Sequence, residues 1–415
     1  MSVAEGNGRW ARRWDRFRPF LVPAMIVVAV AGWGTVDLVR DVERRNHAHP
    51  PAGPACVSAQ VPPEGPGVWW GVNLDFDRKT LAQYASDLGH RPAVTVTFTD
   101  LPYTEAQRAD LVRAVEQVRA DGQILLLTLE PFGGLETVTE QVARQVAADL
   151  AEFNAAGVPV IVRLAHEMNG SWYPWGHQPA AYVEMFRTVA AAVHERAPGS
   201  AMMWAPNYGG GYPFGGGQFE AAPGSAARAA LDTDGDGALT SSDDPYAPYY
   251  PGDDAVDWVG MSLYHWGAAY PWGENELPEP GKFAAQLTGS YDGAGGDDTV
   301  VPDFYTRYGV EHGKPVAIVE TGALYNTAAG TGGPAEFDLK QAWWQQVFDP
   351  DLPQQFPQLK MINWFEWDKY EPEVDARVDW TVTNNPQLRR AFTAALPDWL
   401  RYGPDRPCTP APPES

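Results

Sequence analysis

The feature that most constrains the fold is a repeated unit of one short apolar run, a turn and a longer segment with helical periodicity. Eight such runs follow Gly67. They do not alternate strictly between apolar and polar residues, so we expect strands buried on both faces, as parallel strands covered by helices are. The predicted strands are Val68–Leu74, Ala93–Phe98, Gln123–Leu129, Pro159–Ala165, Ala201–Ala205, Asp257–Leu263, Lys314–Val319 and Met361–Phe365.

The segments between these runs carry apolar residues at helical spacing. Two of them place such residues on one face each: Leu111, Val112, Val115 and Val118 in the first, and Val142, Val146, Leu150 and Phe153 in the second. Eight strand–helix units predict an α/β fold, namely a closed (β/α)₈ TIM barrel over residues 68–402. An open doubly wound sheet is the alternative, but no Gly-x-Gly-x-x-Gly pattern follows the first run, which argues against a dinucleotide site.

The amino-terminal segment has the features of a membrane signal. Residues 1–18 are rich in arginine, and no charged residue occurs from Pro19 to Val36. We expect a cytoplasmic basic segment at 1–18 and a single transmembrane signal-anchor at 19–39, which leaves the rest of the chain outside the cell. Because the apolar stretch is short and Ala29-Val30-Ala31 offers a cleavage site, a cleaved signal peptide and a secreted protein are the alternative.

Proline-rich segments flank the predicted barrel on both sides. Residues 40–67 read as a semi-extended linker and residues 403–415 as a tail. The two cysteines, Cys56 and Cys408, lie in these flanks, and an extracellular location permits a disulfide between them. Two free thiols are the alternative.

Charge and aromatic content narrow the choice of ligand. The chain has 53 acidic and 30 basic residues and a formal net charge of −23, so its surface repels phosphate backbones and we predict no nucleic-acid partner. Seventeen Trp and 17 Tyr provide flat apolar surfaces with polar edges. Such surfaces suit sugar rings, and they equally suit an aromatic core.

The ends of the predicted strands carry the chemistry, because the active site of a barrel gathers at the carboxyl ends of its strands. The fourth run leads into His-Glu-Met-Asn-Gly at 166–170 and Trp-Tyr-Pro-Trp-Gly at 172–176, and the seventh leads into Glu-Thr-Gly at 320–322. Glu167 and Glu320 are therefore expected to project into the same opening, at the carboxyl end of the barrel, which we call the mouth. Glycoside cleavage needs such a pair, since one carboxyl group protonates the leaving oxygen while the other attacks or activates water.

These motifs resemble glycoside hydrolase family 26, the β-mannanase family of retaining (β/α)₈ glycosidases, and the resemblance covers about Trp69 to Leu400. It implies a retaining endo-β-glycanase that hydrolyses β-1,4-mannan or a related β-linked polysaccharide by double displacement, without a catalytic cofactor. It also implies that Glu167 is the acid/base and Glu320 the nucleophile.

Further residues take roles by the same resemblance. Tyr264 matches a tyrosine that hydrogen-bonds the nucleophile, and His166 matches a neighbour that orients the sugar or the acid. Trp172 and Trp364 resemble aromatic walls of the cleft, Trp364 at the sugar being cleaved. Trp175, in the same motif as Trp172, is also expected to bind substrate.

Three other carboxylates end apolar runs: Asp75, Glu130 and Glu366. We interpret them as structural, although a supporting or substrate-contacting role for Glu366 stays open. Mannanases of the family generally carry a histidine where this chain has Glu130, so the substrate stays open among mannan, mixed-linkage β-glucan, β-1,3-xylan and an exopolysaccharide of the same cell. The alternative function is a non-catalytic polysaccharide-binding barrel of an export or adhesion system.

An acidic loop lies in a long insertion at residues 207–256, between the fifth and sixth strands. Residues 232–243 follow the spacing of a calcium-binding loop, with glycine at its sixth position, and resemble loops of calmodulin-like and dockerin-like proteins. We expect a solitary structural Ca²⁺ site, and a solvated acidic turn is the alternative. The predicted ligand residues are Asp232, Asp234, Asp236, Ala238 and Asp243.

Overall fold

The computed structural model describes residues 59–60, 62–268, 272–293, 300–330 and 332–403. The predicted membrane segment at 19–39, the basic segment before it, both cysteines and nearly all of the tail lie outside these residues. Within the described ranges, none of the helices combines the length and hydrophobicity that a membrane crossing requires.

Eight parallel strands form a closed barrel, which confirms the predicted (β/α)₈ architecture. Each strand pairs with the next, and β8 pairs with β1 in a register that places Trp70 opposite Ile362. All eight predicted runs are strands, with ends within two residues of the prediction. The strands are β1 Val68–Leu74, β2 Val94–Asp100, β3 Ile124–Glu130, β4 Val160–Leu164, β5 Ser200–Trp204, β6 Trp258–Ser262, β7 Val316–Thr321 and β8 Leu359–Glu366.

Helices surround the barrel. Thr80 and Thr104 cap the first two, and each forms a capping box with a glutamine three residues later. The predicted apolar faces are the ones that pack on the strands. The helices are α1 Leu81–Leu88, α2 Glu105–Ala120, α3 Glu140–Ala155, α4 Pro179–Arg196, α5 Ala226–Leu231, α6 Lys282–Leu287, α7 Glu336–Val347, α8 Leu352–Gln355 and α9 Pro386–Ala395, with short 3₁₀ turns at Leu135–Thr137 and Ala247–Tyr249 and a π-helical segment at Tyr305–Glu311.

Two short elements follow the barrel strands. Directly after β8, an antiparallel hairpin of β9 Asp368–Glu371 and β10 Ala376–Asp379 extends from the carboxyl end of the barrel. A final strand, β11 Leu400–Arg401, pairs in parallel with the start of β1.

The core has two layers because side chains along each strand alternate between inside and outside. Inward residues fill the barrel, where Trp69 stacks on Trp258 with ring centroids 5.6 Å apart. Outward residues form a larger core with the helices. This alternation decides which residues at the strand ends face the mouth.

Candidate active site

The backbone at the end of β4 leaves the extended conformation at once. Ala165 and Glu167 have φ angles of 47° and 54°, in the left-handed region that L-residues rarely occupy. The N–H of Glu167 donates to the carbonyl of Ala205, at the end of β5, over 2.9 Å. Such conformations cost roughly 1–3 kcal/mol and concentrate at functional sites. The backbone thus holds Glu167 at the mouth at a local energetic cost.

The end of β7 carries an irregularity of a different kind. Met261 of β6 pairs with Ile318, but the next residue, Ser262, pairs with Glu320, so β7 has one extra residue at this point. A bulge of this kind redirects the side chain that follows it. Glu320 therefore points into the mouth, beside Ser262, instead of continuing the alternation of β7.

A buried arginine connects the two strand ends. Arg163 of β4 is fully buried and lies beneath the mouth. Its Nη1 is 2.5 Å from Glu320 Oε1, and its Nη2 donates to Ser262 Oγ over 2.9 Å. The Ser262 side chain also lies close enough to Glu167 to lower the pKa of that carboxyl group. The structure therefore brings together the two carboxylates that the sequence singles out.

Tyr264 completes the surroundings of Glu320. Its hydroxyl donates to Glu320 Oε2 over 2.6 Å, as the resemblance implies. Glu320 thus accepts one hydrogen bond from a cation and one from a phenol, on different oxygens. The ion pair and the hydrogen bond fix the position of this carboxylate at the mouth, as a nucleophile requires.

Glu167 has the opposite surroundings. Burial raises its pKa above the usual value, and the negative charge of Glu320 raises it further. The positive charge of Arg163, the nearby Ser262 side chain and a hydrogen bond from the Trp172 indole, 3.1 Å from Glu167 Oε2, only partly offset these effects. A carboxyl group with a raised pKa retains its proton and is suited to act as an acid.

Comparison with known proteins agrees with this geometry. Residues 130–207, from the end of β3 through Glu167 to the residues after β5, match the model of glycosyl hydrolase family 26. The resemblance to this family is therefore confirmed. Endoglucanase H of Acetivibrio thermocellus is 26% identical over 166 residues, which are 38% of this chain and 15% of that protein, so this chain spans only a small part of its relative.

Solved structures of the family share the fold. An endo-β-1,4-mannanase double mutant from Cellulomonas fimi superposes with a TM-score of 0.51 and 16% identity, over 85% of this chain and 77% of the other. A structure named GH26C from a Muricauda species gives a TM-score of 0.50 and 14% identity, over 82% and 88% of the two chains. At such low identity these matches support the barrel fold alone.

His166 lies in an aromatic pocket next to Glu167. It is 3% exposed, and its ring lies 5.0 Å from Tyr173 and 6.0 Å from Phe98. Burial and the charge of Arg163 hold the pKa of His166 well below its usual value, so the imidazole is neutral. A neutral ring beside Glu167 adds no charge to the site.

The two tryptophans of the motif at 172–176 have different positions. Trp172 is partly exposed at the mouth, where its indole contacts Glu167. Trp175 is fully buried behind it, stacked on Tyr173 at 4.4 Å, and donates to the His166 carbonyl over 2.7 Å. Trp175 supports the pocket from behind. The prediction that it contacts substrate is therefore wrong, because the side chain is fully buried.

The assignment of Trp364 is wrong. This side chain is completely buried on the helix side of the barrel, against Trp70 and Phe392, and cannot form a wall of the cleft. Along β8 the inward positions are its neighbours, because sides alternate along a strand. Phe365 and, after the strand, Trp367 are the aromatic residues of this segment that lie at the mouth.

The three other strand-end carboxylates are held differently. Glu366 accepts from Val382 N–H over 2.9 Å and from the Thr383 hydroxyl over 2.7 Å, a structural role, while burial raises its pKa to about 7. Asp75 accepts from a neighbouring backbone N–H, also within the structural interpretation. Glu130 is partly buried, and burial together with Asp100 raises its pKa to about 8.

The acidic loop gathers three of its predicted ligands. Carboxylate oxygens of Asp232, Asp234 and Asp236 all lie within 4.8 Å of one another. Asp243 differs from the prediction, because it is 1% exposed and its two oxygens accept backbone N–H groups of Thr233 and Thr240 at 2.6 and 2.8 Å. Asp243 closes the loop on itself instead of joining the carboxylate cluster. Ala238 donates its N–H to Asp236, and a role for its carbonyl remains a prediction.

Proposed function

We propose that this protein is a retaining endo-β-glycanase that hydrolyses β-1,4-mannan or a related β-linked polysaccharide. The observation that carries the proposal is the pair of carboxyl groups beside Arg163, one with a raised pKa and the other ion-paired with that arginine. A retaining glycosidase requires this division between an acid and a nucleophile.

The mechanism follows from the two environments. Glu320 attacks the anomeric carbon while Glu167 transfers its proton to the glycosidic oxygen, so the C–O bond breaks and a glycosyl ester forms on Glu320. Glu167, now ionised, removes a proton from water, which attacks the same carbon and releases Glu320. Two displacements on opposite faces retain the configuration. Tyr264 and Arg163 hold the carboxylate of Glu320 in place through both steps.

Reducing-sugar release tests the proposal. Wild type, Glu320→Ala and Glu373→Ala are compared on mannan, mixed-linkage β-glucan and β-1,3-xylan, with Glu373, an exposed carboxylate between β9 and β10, as the matched control. We expect Glu320→Ala to lose on the order of 10⁴-fold in kcat on the preferred polymer, and Glu373→Ala to behave as wild type. Equal release by all three proteins on every polymer would contradict the mechanism and favour a barrel that only binds polysaccharide.

We propose a structural Ca²⁺ ion at Asp232, Asp234 and Asp236. Three carboxylates this close repel one another unless a hard cation neutralises them. The experiment is thermal unfolding with added Ca²⁺ and after chelation, in wild type and Asp234→Asn. Chelation should lower Tm in wild type and change little in the variant. The same Tm with and without chelator in wild type would contradict the site.

We propose that the catalytic body faces the outside of the cell, anchored through residues 19–39 or secreted after cleavage, and that Cys56 and Cys408 pair there. Protease treatment of intact cells tests this, since an external barrel is digested without lysis. Survival until lysis would contradict the location, and two titratable thiols in the protein isolated without reductant would contradict the disulfide.

A further inference from the structure

The β9–β10 hairpin returns the chain to the mouth and is fixed there at several points. Trp380, directly after β10, donates its backbone N–H to the carbonyl of Trp367 over 2.9 Å. The N–H of Asp379 donates to the carbonyl of Tyr325 over 2.9 Å. Glu366 holds the residues that follow, through Val382 and Thr383. The segment around Trp380 is thereby tied to the carboxyl ends of both β7 and β8.

The Trp380 side chain fills the space beside Tyr264. It is 1% exposed, and its ring lies 5.0 Å from that of Tyr264 and 5.0 Å from that of Trp266. Its indole N–H donates to Glu371 Oε1 over 2.8 Å, which fixes the plane of the ring. A side chain so enclosed restricts the positions open to the tyrosine that it contacts.

Trp380 also lies close to the backbone that follows Glu320. A Cβ atom added at Gly322 would lie 3.3 Å from Trp380 Cε3, tighter than a normal contact. Gly322, two residues after Glu320 in the Glu-Thr-Gly motif, thus leaves room for the Trp380 ring. Trp380 therefore packs against the ring of the donor in the Tyr264–Glu320 hydrogen bond and lies beside the chain two residues after the acceptor.

We propose that Trp380 is a positioning residue, which holds the Tyr264 hydroxyl against Glu320 without touching substrate itself. This inference rests on the proposed function, in which Glu320 is the nucleophile. If Trp380 acts through Tyr264, loss of its indole misplaces a hydrogen bond made to the ionised carboxylate. The result is a slower reaction with substrate binding little changed.

The experiment compares Trp380→Phe with Trp364→Phe. Both replace a buried tryptophan, but Trp364, on β8, packs against the helices and not against Tyr264 or Glu320. For Trp380→Phe we expect kcat to fall roughly 10-fold to 100-fold with KM little changed, and the acidic limb of the kcat/KM profile to move to higher pH. For Trp364→Phe we expect a lower Tm with a wild-type pH profile.

A double-mutant cycle with Tyr264→Phe isolates the coupling. If Trp380 acts through Tyr264, the double variant loses no more activity than Tyr264→Phe alone. If the losses of activity in the two single variants multiply in the double variant, or if the pH profile of Trp380→Phe matches wild type, the inference is overturned. If Trp380→Phe does not fold, Gly322→Ala displaces the ring from the other side and should move the acidic limb in the same direction, and an unmoved limb would count against the inference equally.

The experiments distinguish a failure of the positioning role of Trp380 from a failure of the proposed function. An inactive Glu320→Ala together with a Trp380→Phe that resembles Trp364→Phe removes only the positioning role. A Glu320→Ala as active as wild type removes the proposed function and the inference with it.

Discussion

The carboxyl ends of β4 and β7 carry one carboxyl group each, and the backbone and the electrostatic surroundings of the two groups differ. Glu167 is reached through a strained left-handed backbone and has a raised pKa because burial dominates its surroundings. Glu320 is reached through a β-bulge and accepts hydrogen bonds from Arg163 and Tyr264. The contrast shows that one fold can give two identical side chains different electrostatic surroundings.

Removing each carboxylate should break this comparison most strongly. Glu167→Ala should lose about 10²–10⁴-fold on a polysaccharide, whose leaving oxygen needs a proton, but much less on an aryl glycoside with an acidic phenol as leaving group. Glu320→Ala should lose activity on both substrates, because no glycosyl ester forms. Steady-state kinetics on the two substrates measure the difference.

Azide provides the control for these roles. A small anion that enters the space left by Glu167→Ala should restore turnover of the aryl glycoside and yield a β-glycosyl azide, because it attacks the ester on the face from which water would come. If instead Glu320→Ala retains the aryl glycosidase activity and Glu167→Ala loses it, the two assignments are reversed.

Arg163 is the residue through which the two ends are coupled. Arg163→Met leaves the buried Glu320 carboxylate without its cation, so we expect a loss of about 3–5 kcal/mol in the free energy of unfolding and a large loss of kcat. Urea denaturation and kinetics measure both. Arg113→Met, at an exposed arginine of α2, is the control and should change neither. An Arg163→Met variant as stable as wild type would mean that the ion pair does not maintain the difference between the surroundings of Glu167 and Glu320.

Paired substitutions that remove one donor from each carboxylate sharpen the comparison. Trp172 lowers the pKa of Glu167, so Trp172→Phe should raise that pKa and move the basic limb of kcat/KM to higher pH. Tyr264→Phe removes a hydrogen-bond donor from Glu320, so kcat should fall while the basic limb stays at the wild-type position. Each loss corresponds to about one net hydrogen bond, 0.5–1.5 kcal/mol. Both variants shifting the same limb would contradict separate roles for the two ends.

The fold was predictable because the repeated units encode it locally. Strand and helix segments each carry their own periodicity, and eight units have one common closed solution. The predicted boundaries of β1 agree fully with the structure, and the other strands shift by two residues at most. Ends shift because hydrogen bonding with neighbouring strands, absent from a single run, decides where each strand stops.

The site was predictable only in part. Glu167, Glu320 and Tyr264 lie at or shortly after the ends of strands, so their position in the chain indicated that they belong to the mouth. Trp364 differs from its predicted position because side chains alternate along β8, so that Phe365 faces the mouth and Trp364 faces the helices. Arg163 also indicates a site from the sequence alone, because a charged residue inside a strand that is buried on both faces requires a buried partner.

Two features had no local signal. The bulge that turns Glu320 inward depends on the register between β6 and β7, which neither strand specifies alone. Trp380 reaches Tyr264 only because a hairpin folds back over the mouth, a contact across 116 residues of sequence between positions 264 and 380. Such contacts are set by tertiary packing, so sequence periodicity does not reveal them.

Glu130 offers the subtlest test, because it is a third carboxyl group near the same pair and has no cation of its own. Burial, and then the charge of Asp100, raise its pKa to about 8 from the ordinary 4.5. Between these two values the unfolded chain ionises at this position while the folded protein keeps the proton. Wild type therefore loses stability as pH rises through this window, and the loss is complete above the folded pKa.

Glu130→Gln imitates the protonated form at every pH and does not titrate. The variant should thus match wild type near pH 4.5 and gain a stability advantage that grows toward pH 8 and then stays constant, with kcat/KM close to wild type at pH 6. Urea denaturation at a series of pH values measures the advantage, and Glu136→Gln, at an exposed position six residues further on, is the control. A difference that does not vary with pH would mean that Glu130 is ionised in the folded state, so that the mouth holds three carboxylate charges and Arg163 must balance more than the Glu167–Glu320 pair.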